Sequence, residues 1–349
     1  MGKRVKVLIV DDSRTARELI KRSFLKYPEI DVIGLASNPI EARDLIIADQ
    51  PDVITLDIEM PGMNGLQFLE KIMRLRPIPV VMVSSMTTRG ANTAITALQM
   101  GAFECFPKQS GTGEAFVGLG QIVLEAAGSR PGGVRHYKGP ELGAVKPAMG
   151  AMPLPKLWRT HFDIVGIGSS TGGVEAIEEV LRDLPAQSPP IVVCQHMPSL
   201  YTASFAQRLD SIIPQLSIAE AKDGESLAPG MVRIAPGGTQ HLLVGGQASQ
   251  LVTRLKAGEP VGGHRPAVDS LFHSIAQTVG RSALGIILTG MGRDGAEGLL
   301  AMRRAGARTI GQDKASSVVY GMPRVAAELG AVEHEVALAE IPRLAMGLL

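Results

Sequence analysis

Two groups of residues in this 349-residue sequence have the types and spacing to do chemistry, one in each half. In the first half, Asp11 and Asp12 follow the apolar run Val5–Val10, and Asp57 follows Val53–Leu56. Crowded carboxylates repel, so they persist cheaply only with a cation among them. An all-oxygen set of this kind suits Mg²⁺, which takes one or two carboxylates and keeps several waters. Ser84 ends a further apolar run and Lys108 follows another. A hydroxyl and an ammonium are thus placed to meet the oxygens of a phosphoryl group on Asp57. Any one of these residues alone reads as a helix cap or a solvated strand end; five gathered at four strand ends do not.

In the second half, Gly168-Ser169-Ser170-Thr171-Gly172 lies between an apolar run and a helical pattern. Gly168-x-Ser170-x-Gly172 fits a nucleophile elbow, a tight turn that lifts a serine hydroxyl above a sheet with backbone N–H groups around it. The same glycines, counted from Gly166, could instead admit a pyrophosphate to a helix N-terminus, as in a nicotinamide-dependent oxidoreductase. Thr171, however, takes the place of the third glycine in G-x-G-x-x-G. About twenty residues on, the chain has Ser188-Pro189-Pro190 and not an acidic strand end. A serine nucleophile needs a base. His196 directly follows an apolar strand pattern, Ile191–Val193, whereas His136, His161 and His334 are poorly placed and His241, His264 and His273 stay open. The base in turn needs an orienting carboxylate. Asp294, in Thr289-Gly290-Met291-Gly292-Arg293-Asp294-Gly295, follows another strand pattern. A Cys194–His196 pair on one strand face is a rival thiolate dyad, although the run around Cys194 reads as core.

The elements that must position these residues are legible in the apolar pattern. Runs at Val5–Val10, Val32–Leu35, Val53–Leu56, Val80–Val83 and near Ala102–Phe106 alternate with helical spacing such as Ala16, Leu19, Ile20, Ser23 and Phe24, with Ser13 as N-cap. Near-continuous apolar strands between amphipathic helices predict a parallel sheet covered on both faces, with ligand chemistry at the strands' carboxyl ends. In the second half, runs at Ile164–Ile167, Ile191–Val193 and Gly285–Leu288 and a helix at Ala296–Arg304 predict the same layering. Between Met231 and Leu255, alternation (Val232/Ile234, then Leu242/Val244) predicts antiparallel strands inserted into that frame. Residues 128–157 are rich in glycine, proline and basic side chains and read as a linker between units at 1–127 and 158–349.

Composition narrows the function classes. Lysine and arginine total 35 against 34 acidic residues, and aromatics are 4%, so neither a nucleic-acid backbone nor an anionic membrane is served. A DNA-binding output half would be shorter and basic. Two cysteines give no disulfide framework, and no run approaches a membrane span. The expectation is a soluble, reduced, cytoplasmic protein without membrane insertion.

Asp11-Asp12, the segment Asp57-Ile58-Glu59-Met60-Pro61-Gly62-Met63-Asn64-Gly65, Ser84 and Lys108 resemble the receiver domain of bacterial response regulators. That resemblance implies a flavodoxin-like (βα)₅ domain whose Asp57 takes a phosphoryl group from a histidine kinase. Asp11, Asp12, Asp57 and the Glu59 carbonyl would hold Mg²⁺, and Ser84 and Lys108 would sense the phosphate. This sequence departs from such domains at Cys105, often aromatic there, and at Gln109, usually proline. From about Phe162 onward, the turns around Ser170, Gln195-His196-Met197-Pro198, Ala235-Pro236-Gly237-Gly238-Thr239-Gln240-His241 and Thr289–Gly295 resemble the chemotaxis protein-glutamate methylesterases. The resemblance implies a doubly wound α/β catalytic domain with a Ser170–His196–Asp294 triad, Thr171 and Met291 near the oxyanion site, and no cofactor for the esterase. It implies γ-glutamyl methyl esters, and in some members glutamines, on chemoreceptor cytoplasmic helices as substrates. Some relatives serve other receptor pathways. Two sites joined by one linker carry the further expectation that the unphosphorylated receiver covers the catalytic cleft.

Overall fold

The computed structural model describes residues 4–85, 87–108, 116–129, 162–247 and 250–347. The chain divides into two compact units, Met1–Arg135 and His136–Leu349. Apart from Gly128 and Ser129, the predicted linker at 128–157 lies outside the described residues, as do His136, His161 and Gln109.

The first unit alternates β1 (Val5–Val10), α1 (Arg14–Ser23), β2 (Ile30–Ala36), α2 (Pro39–Asp49), β3 (Val53–Asp57), α3 (Gly65–Leu75), β4 (Val80–Ser85), α4 (Thr88–Gln99), β5 (Glu104–Lys108) and α5 (Leu119–Gly128). All strands pair in parallel, in the order β2-β1-β3-β4-β5. The central strands are sealed from water, which is why their sequences run apolar without alternation. Ser13 caps α1 as expected, accepting from the Ala16 N–H at 3.3 Å. Leu19, placed on the buried face by spacing, is 39% exposed; Ile20 and Phe24 carry that contact. β5 begins two residues later than expected, so Lys108 is its last residue and not the one after it. Cys105 faces the core, its Sγ 3.4 Å from the Ala94 carbonyl.

The second unit runs β6 (Ile164–Ser169), α6 (Gly173–Arg182), β7 (Ile191–Gln195), α7 (Ser199–Ile212), β8 (Ser217–Glu220), β9 (Met231–Ile234), β10 (Gln240–Gln247), β11 (Gln250–Ala257), α8 (Val268–Thr278), β12 (Ala283–Ile287), α9 (Ala296–Arg304), β13 (Arg308–Gln312), α10 (Met322–Glu328), β14 (His334–Val336) and α11 (Ile341–Ala345). Seven parallel strands form the order β14-β13-β12-β6-β7-β9-β8. From β6 the chain winds outward through β7, then returns to lay β12 on the opposite side of β6. The order therefore reverses at β6, where α/β sheets collect their ligands.

The antiparallel insertion is smaller than the alternation suggested. Among the strands of the described residues only β10 and β11 pair antiparallel, and their hairpin packs on α8, with the Val244 N–H donating to Ser274 Oγ at 2.9 Å. β9 belongs to the parallel sheet. Its alternating look comes from Arg233, which is buried and paired with Glu225 at 2.7 Å, not turned to solvent. α8 lies directly on β6: a Cβ on Gly168 would sit 2.2 Å from Val268 Cγ1. That glycine serves helix packing, which accounts for it without a bound pyrophosphate. No helix among the described residues is long and apolar enough to cross a membrane.

Candidate active site

Ser170, His196 and the Asp294 loop follow β6, β7 and β12, three neighbouring strands whose carboxyl ends open on one edge of the sheet. Among the described residues, Ser170 itself is held through its backbone. Its N–H donates to the Thr289 carbonyl (3.0 Å), and its carbonyl accepts from the Gly173 N–H (2.8 Å) and from Gln195 Nε2 (2.8 Å). The cap of α6 is Gly172, which makes no side-chain cap bond, so the Ser170 hydroxyl is not engaged as a helix cap. Thr289 and Gly290 press close to this turn: a Cβ on Gly290 would lie 2.8 Å from Ser170 Cβ and 2.9 Å from its backbone N. Gly290→Ala must displace the Ser170 turn as well as Met322, whose Sδ would lie 2.4 Å from the same Cβ, and a displacement of a reacting group approaching 1 Å costs about 100-fold in rate. The expected result is a fall in kcat of about that order with the protein still folded, read by steady-state turnover beside a melting curve.

His196 Nε2 lies 2.7 Å from Asp294 Oδ2, and both side chains are nearly buried. With Nε2–H donating to the carboxylate, Nδ1 keeps its lone pair; that nitrogen is buried and has no hydrogen-bond partner among the described residues. The pairing with Asp294 thus engages Nε2 and leaves Nδ1 as the ring nitrogen that could take a proton. No hydrogen bond joins Ser170 to His196 among the described residues; such contacts commonly tighten only with substrate bound.

Asp294 stands just before α9 but does not cap it, since Gly295 is the cap. Its carboxylate turns to the start of α8, accepting from the Val268 N–H (2.7 Å, Oδ2) and the Asp269 N–H (2.9 Å, Oδ1). Asp269 returns the arrangement, its Oδ1 accepting from the Gly298 N–H of α9 at 2.7 Å. Burial pushes the Asp294 pKa up, but the His196 hydrogen bond and charge and the two backbone N–H groups outweigh it and hold the carboxyl below its ordinary value. The carboxylate therefore stabilises the fold above its unfolded pKa of about 3.9 and stops doing so as pH falls through its lower folded value.

Gln195, the last residue of β7, ties the two turns together. Its Oε1 accepts from Ser169 Oγ at 2.6 Å, and its Nε2 donates to the carbonyls of Ser170 (2.8 Å) and His196 (3.0 Å). Sequence reasoning assigned this residue no role; a polar residue closing an apolar strand was its only signal.

Among the remaining predicted residues, Thr171 is buried and its carbonyl accepts from Thr289 Oγ1 at 2.9 Å. Met291 is partly exposed, and its N–H donates to no group among the described residues. The histidines left open separate cleanly. His241 is buried between the Glu259 carbonyl (3.0 Å) and the Ala267 N–H (3.2 Å), His273 is exposed on α8, and His264 stacks on His196. Cys194 is fully buried, and burial pushes its thiol well up, which removes the thiolate dyad.

In the first unit, carboxylate oxygens of Asp11, Asp12 and Asp57 lie within 4.8 Å of one another, the first and last buried. Lys108 Nζ reaches Asp11 at 2.9 Å and Asp57 at 2.8 Å. Burial raises the Asp57 pKa, Lys108 opposes that, Asp11 adds to it, and the net direction is upward. Burial would lower the Lys108 pKa, but the two carboxylates raise it. The Lys108 ammonium thus pairs with two of the three carboxylates, and an all-oxygen donor set short of positive charge fits a divalent hard cation. Ser84 is buried near the end of β4. Glu59, predicted to offer its carbonyl, turns its backbone N–H toward Asp57.

Residues 165–345 match the family described as CheB methylesterase, and residues 7–116 match the response regulator receiver domain. A protein of Caulobacter vibrioides named protein-glutamate methylesterase/protein-glutamine glutaminase 1 is 52% identical over 341 residues, 97% of this chain and 96% of that one. The chain belongs to the CheB methylesterase family. A relative in Agrobacterium fabrum, named protein-glutamate methylesterase/protein-glutamine glutaminase, is 51% identical over 345 residues, 98% of this chain and 95% of its own. The solved catalytic domain of the Thermotoga maritima CheB methylesterase covers 54% of this chain and all of its own, with 38% identity and a TM-score of 0.52. This family member therefore joins a receiver domain to a methylesterase-type α/β domain, and the dinucleotide-binding alternative finds no support.

Proposed function

We propose that Ser170, His196 and Asp294 hydrolyse γ-glutamyl methyl esters on the cytoplasmic helices of chemoreceptors, and that phosphorylation of Asp57 by a histidine kinase raises this activity. The observation that carries the reading is the 2.7 Å pairing of His196 with buried Asp294 on the strand ends flanking Ser170. Ser170 Oγ attacks the ester carbonyl while His196 accepts its proton at Nδ1. Charge developing on the carbonyl oxygen is received by the Met291 N–H, beside Thr171. Methanol departs with the proton that His196 returns. Water then attacks the acyl-serine, giving its proton to His196, and the glutamate carboxylate leaves as Ser170 is reprotonated. A glutamine side chain follows the same course with ammonia as the leaving group. Proton transfer contributes about 10²–10⁴ and an oxyanion donor about 10²–10³ in rate. The esterase needs no cofactor in this scheme, and its receptor substrates place it in the cytoplasm.

In the receiver, Asp11, Asp12 and Asp57, with the Glu59 carbonyl, would hold Mg²⁺, which offsets the crowded negative charge when bound. Lys108 and Ser84 meet the phosphoryl oxygens. Because the Asp11, Asp12 and Asp57 carboxylates crowd within 4.8 Å beside the Lys108 ammonium, removing divalent ions is expected to abolish stimulation by a small phosphodonor. Basal methanol release should persist in EDTA; stimulation surviving chelation would contradict this assignment. The experiment that tests the whole reading is methanol release from methylated receptor with and without phosphodonor. Wild type should be stimulated and Asp57→Ala should not; equal stimulation of both would remove Asp57 from its role.

A further inference from the structure

His264 lies face to face with His196, ring centroids 3.8 Å apart and planes 3° from parallel. Aromatic pairs ordinarily prefer an offset or edge-on arrangement with centroids 4.5–7 Å apart, so this stack is unusually close and needs a support that enforces it. The support is visible in the loop. His264 and Val261 exchange two backbone hydrogen bonds of 3.0 Å. Arg265 ties the same loop down on both sides, Nε donating to the Gly238 carbonyl and Nη1 to the Gly258 carbonyl, each at 2.8 Å. Three residues after His264, the Ala267 N–H donates to His241 Nδ1, and the next N–H, that of Val268, donates to Asp294. One short segment therefore carries both the ring that covers the face of His196 and the helix start that holds its carboxylate.

The His196 ring needs such a clamp. Among the described residues its ring is anchored by Asp294 at Nε2 alone, and Nδ1 has no partner there. A ring held at one atom can pivot about that contact and carry Nδ1 away from Ser170; a flat surface at van der Waals distance stops the pivot. We propose that His264 is a positioning residue that locks the His196 imidazole by stacking, so that Nδ1 faces Ser170 while Nε2 stays on Asp294. The proposal rests on His196 being the base. Burial, then the charge of His196, lowers the His264 pKa, with Asp294 opposing.

The test uses the full-length protein with His264→Leu, which keeps bulk without a flat face, His264→Phe, which restores the face, and His196→Gln. His264→Leu is expected to lower kcat about 10- to 100-fold, a cost in keeping with misplaced catalytic groups, with KM within about 2-fold. His264→Phe should recover most of kcat. The His196 Nε2 proton, bonded to Asp294, should give a sharp downfield proton NMR signal in wild type and His264→Phe and a broadened one in His264→Leu. Wild-type kcat in His264→Leu, or His264→Phe as slow as His264→Leu, would overturn stacking as the role. Retained turnover in His196→Gln would instead overturn the base assignment beneath it, so the two failures are told apart.

Discussion

Ser170→Ala is expected to reduce methanol release from methylated receptor by on the order of 10⁴–10⁶-fold, the range seen when a triad nucleophile is lost. The fold should not notice. Among the described residues every hydrogen bond of Ser170 runs through its backbone, to the Thr289 carbonyl, the Gly173 N–H and the Gln195 amide, and alanine keeps all three. The melting temperature should therefore match wild type while turnover disappears. A variant that loses activity together with its melting transition would say that the turn, and not the hydroxyl, had been damaged. One that keeps both would remove Ser170 as the nucleophile.

Asp294→Asn should cost about 10⁴ in kcat, for a reason visible in its hydrogen bonds. Three N–H donors converge on this carboxylate: Val268 N–H, Asp269 N–H and the His196 ring. An amide offers one acceptor oxygen and brings two donors of its own, so at least one buried N–H must face another. Relief by turning His196 would break the Nε2–Asp294 pairing that fixes its ring. Relief by shifting α8 would leave a helix N–H unpaired, costing about 1–3 kcal/mol. Unlike Ser170→Ala, this variant is thus expected to lose activity and stability together. Its stability should also fall less than that of wild type as acid protonates the native carboxylate, because the depressed pKa of Asp294 is the part being removed. Equal acid sensitivity in the two proteins would count against that carboxylate as a stabilising group.

The contrast between these variants shows what the sequence displayed and what it hid. Asp11, Asp12, Asp57, Ser84 and Lys108 could be found because a buried parallel strand is a run of apolar letters, and the first polar letter after it marks a carboxyl end. The same rule located Ser170, His196 and Asp294 before any of them could be placed in space. It fails where buried residues are polar. β13 escaped notice because Thr309 and Gln312 are fully buried, satisfied by the Ala331 carbonyl and the Thr289 N–H. Arg233, buried on Glu225, imitated the outward residue of an alternating strand and gave β9 the wrong direction. β8 and β14 are short edge strands of four and three residues, too brief for any period to register.

The supporting residues of the site were the least legible. His264 sits in Gly262-Gly263-His264-Arg265-Pro266, a segment with no periodicity, and nothing in its neighbours' letters points to His196. Gln195 and Asp269 act through backbone groups far away in the chain, Ser170 and Gly298 among them. Such pairings depend on which strand ends lie side by side, and only the strand order β12-β6-β7 supplies that. Types and spacing reveal the groups that do chemistry, whereas the groups that aim them emerge only from the packing.

The most direct measurement of the central claim is covalent: react the full-length protein with a serine-directed organophosphonate, digest it and map the modified residue by mass spectrometry. A single adduct on Ser170 is predicted, forming in step with loss of methanol release and much more slowly in His196→Gln and Asp294→Asn. An adduct on another residue, or labelling of Ser170 at an unchanged rate when either partner is replaced, would contradict the proton relay.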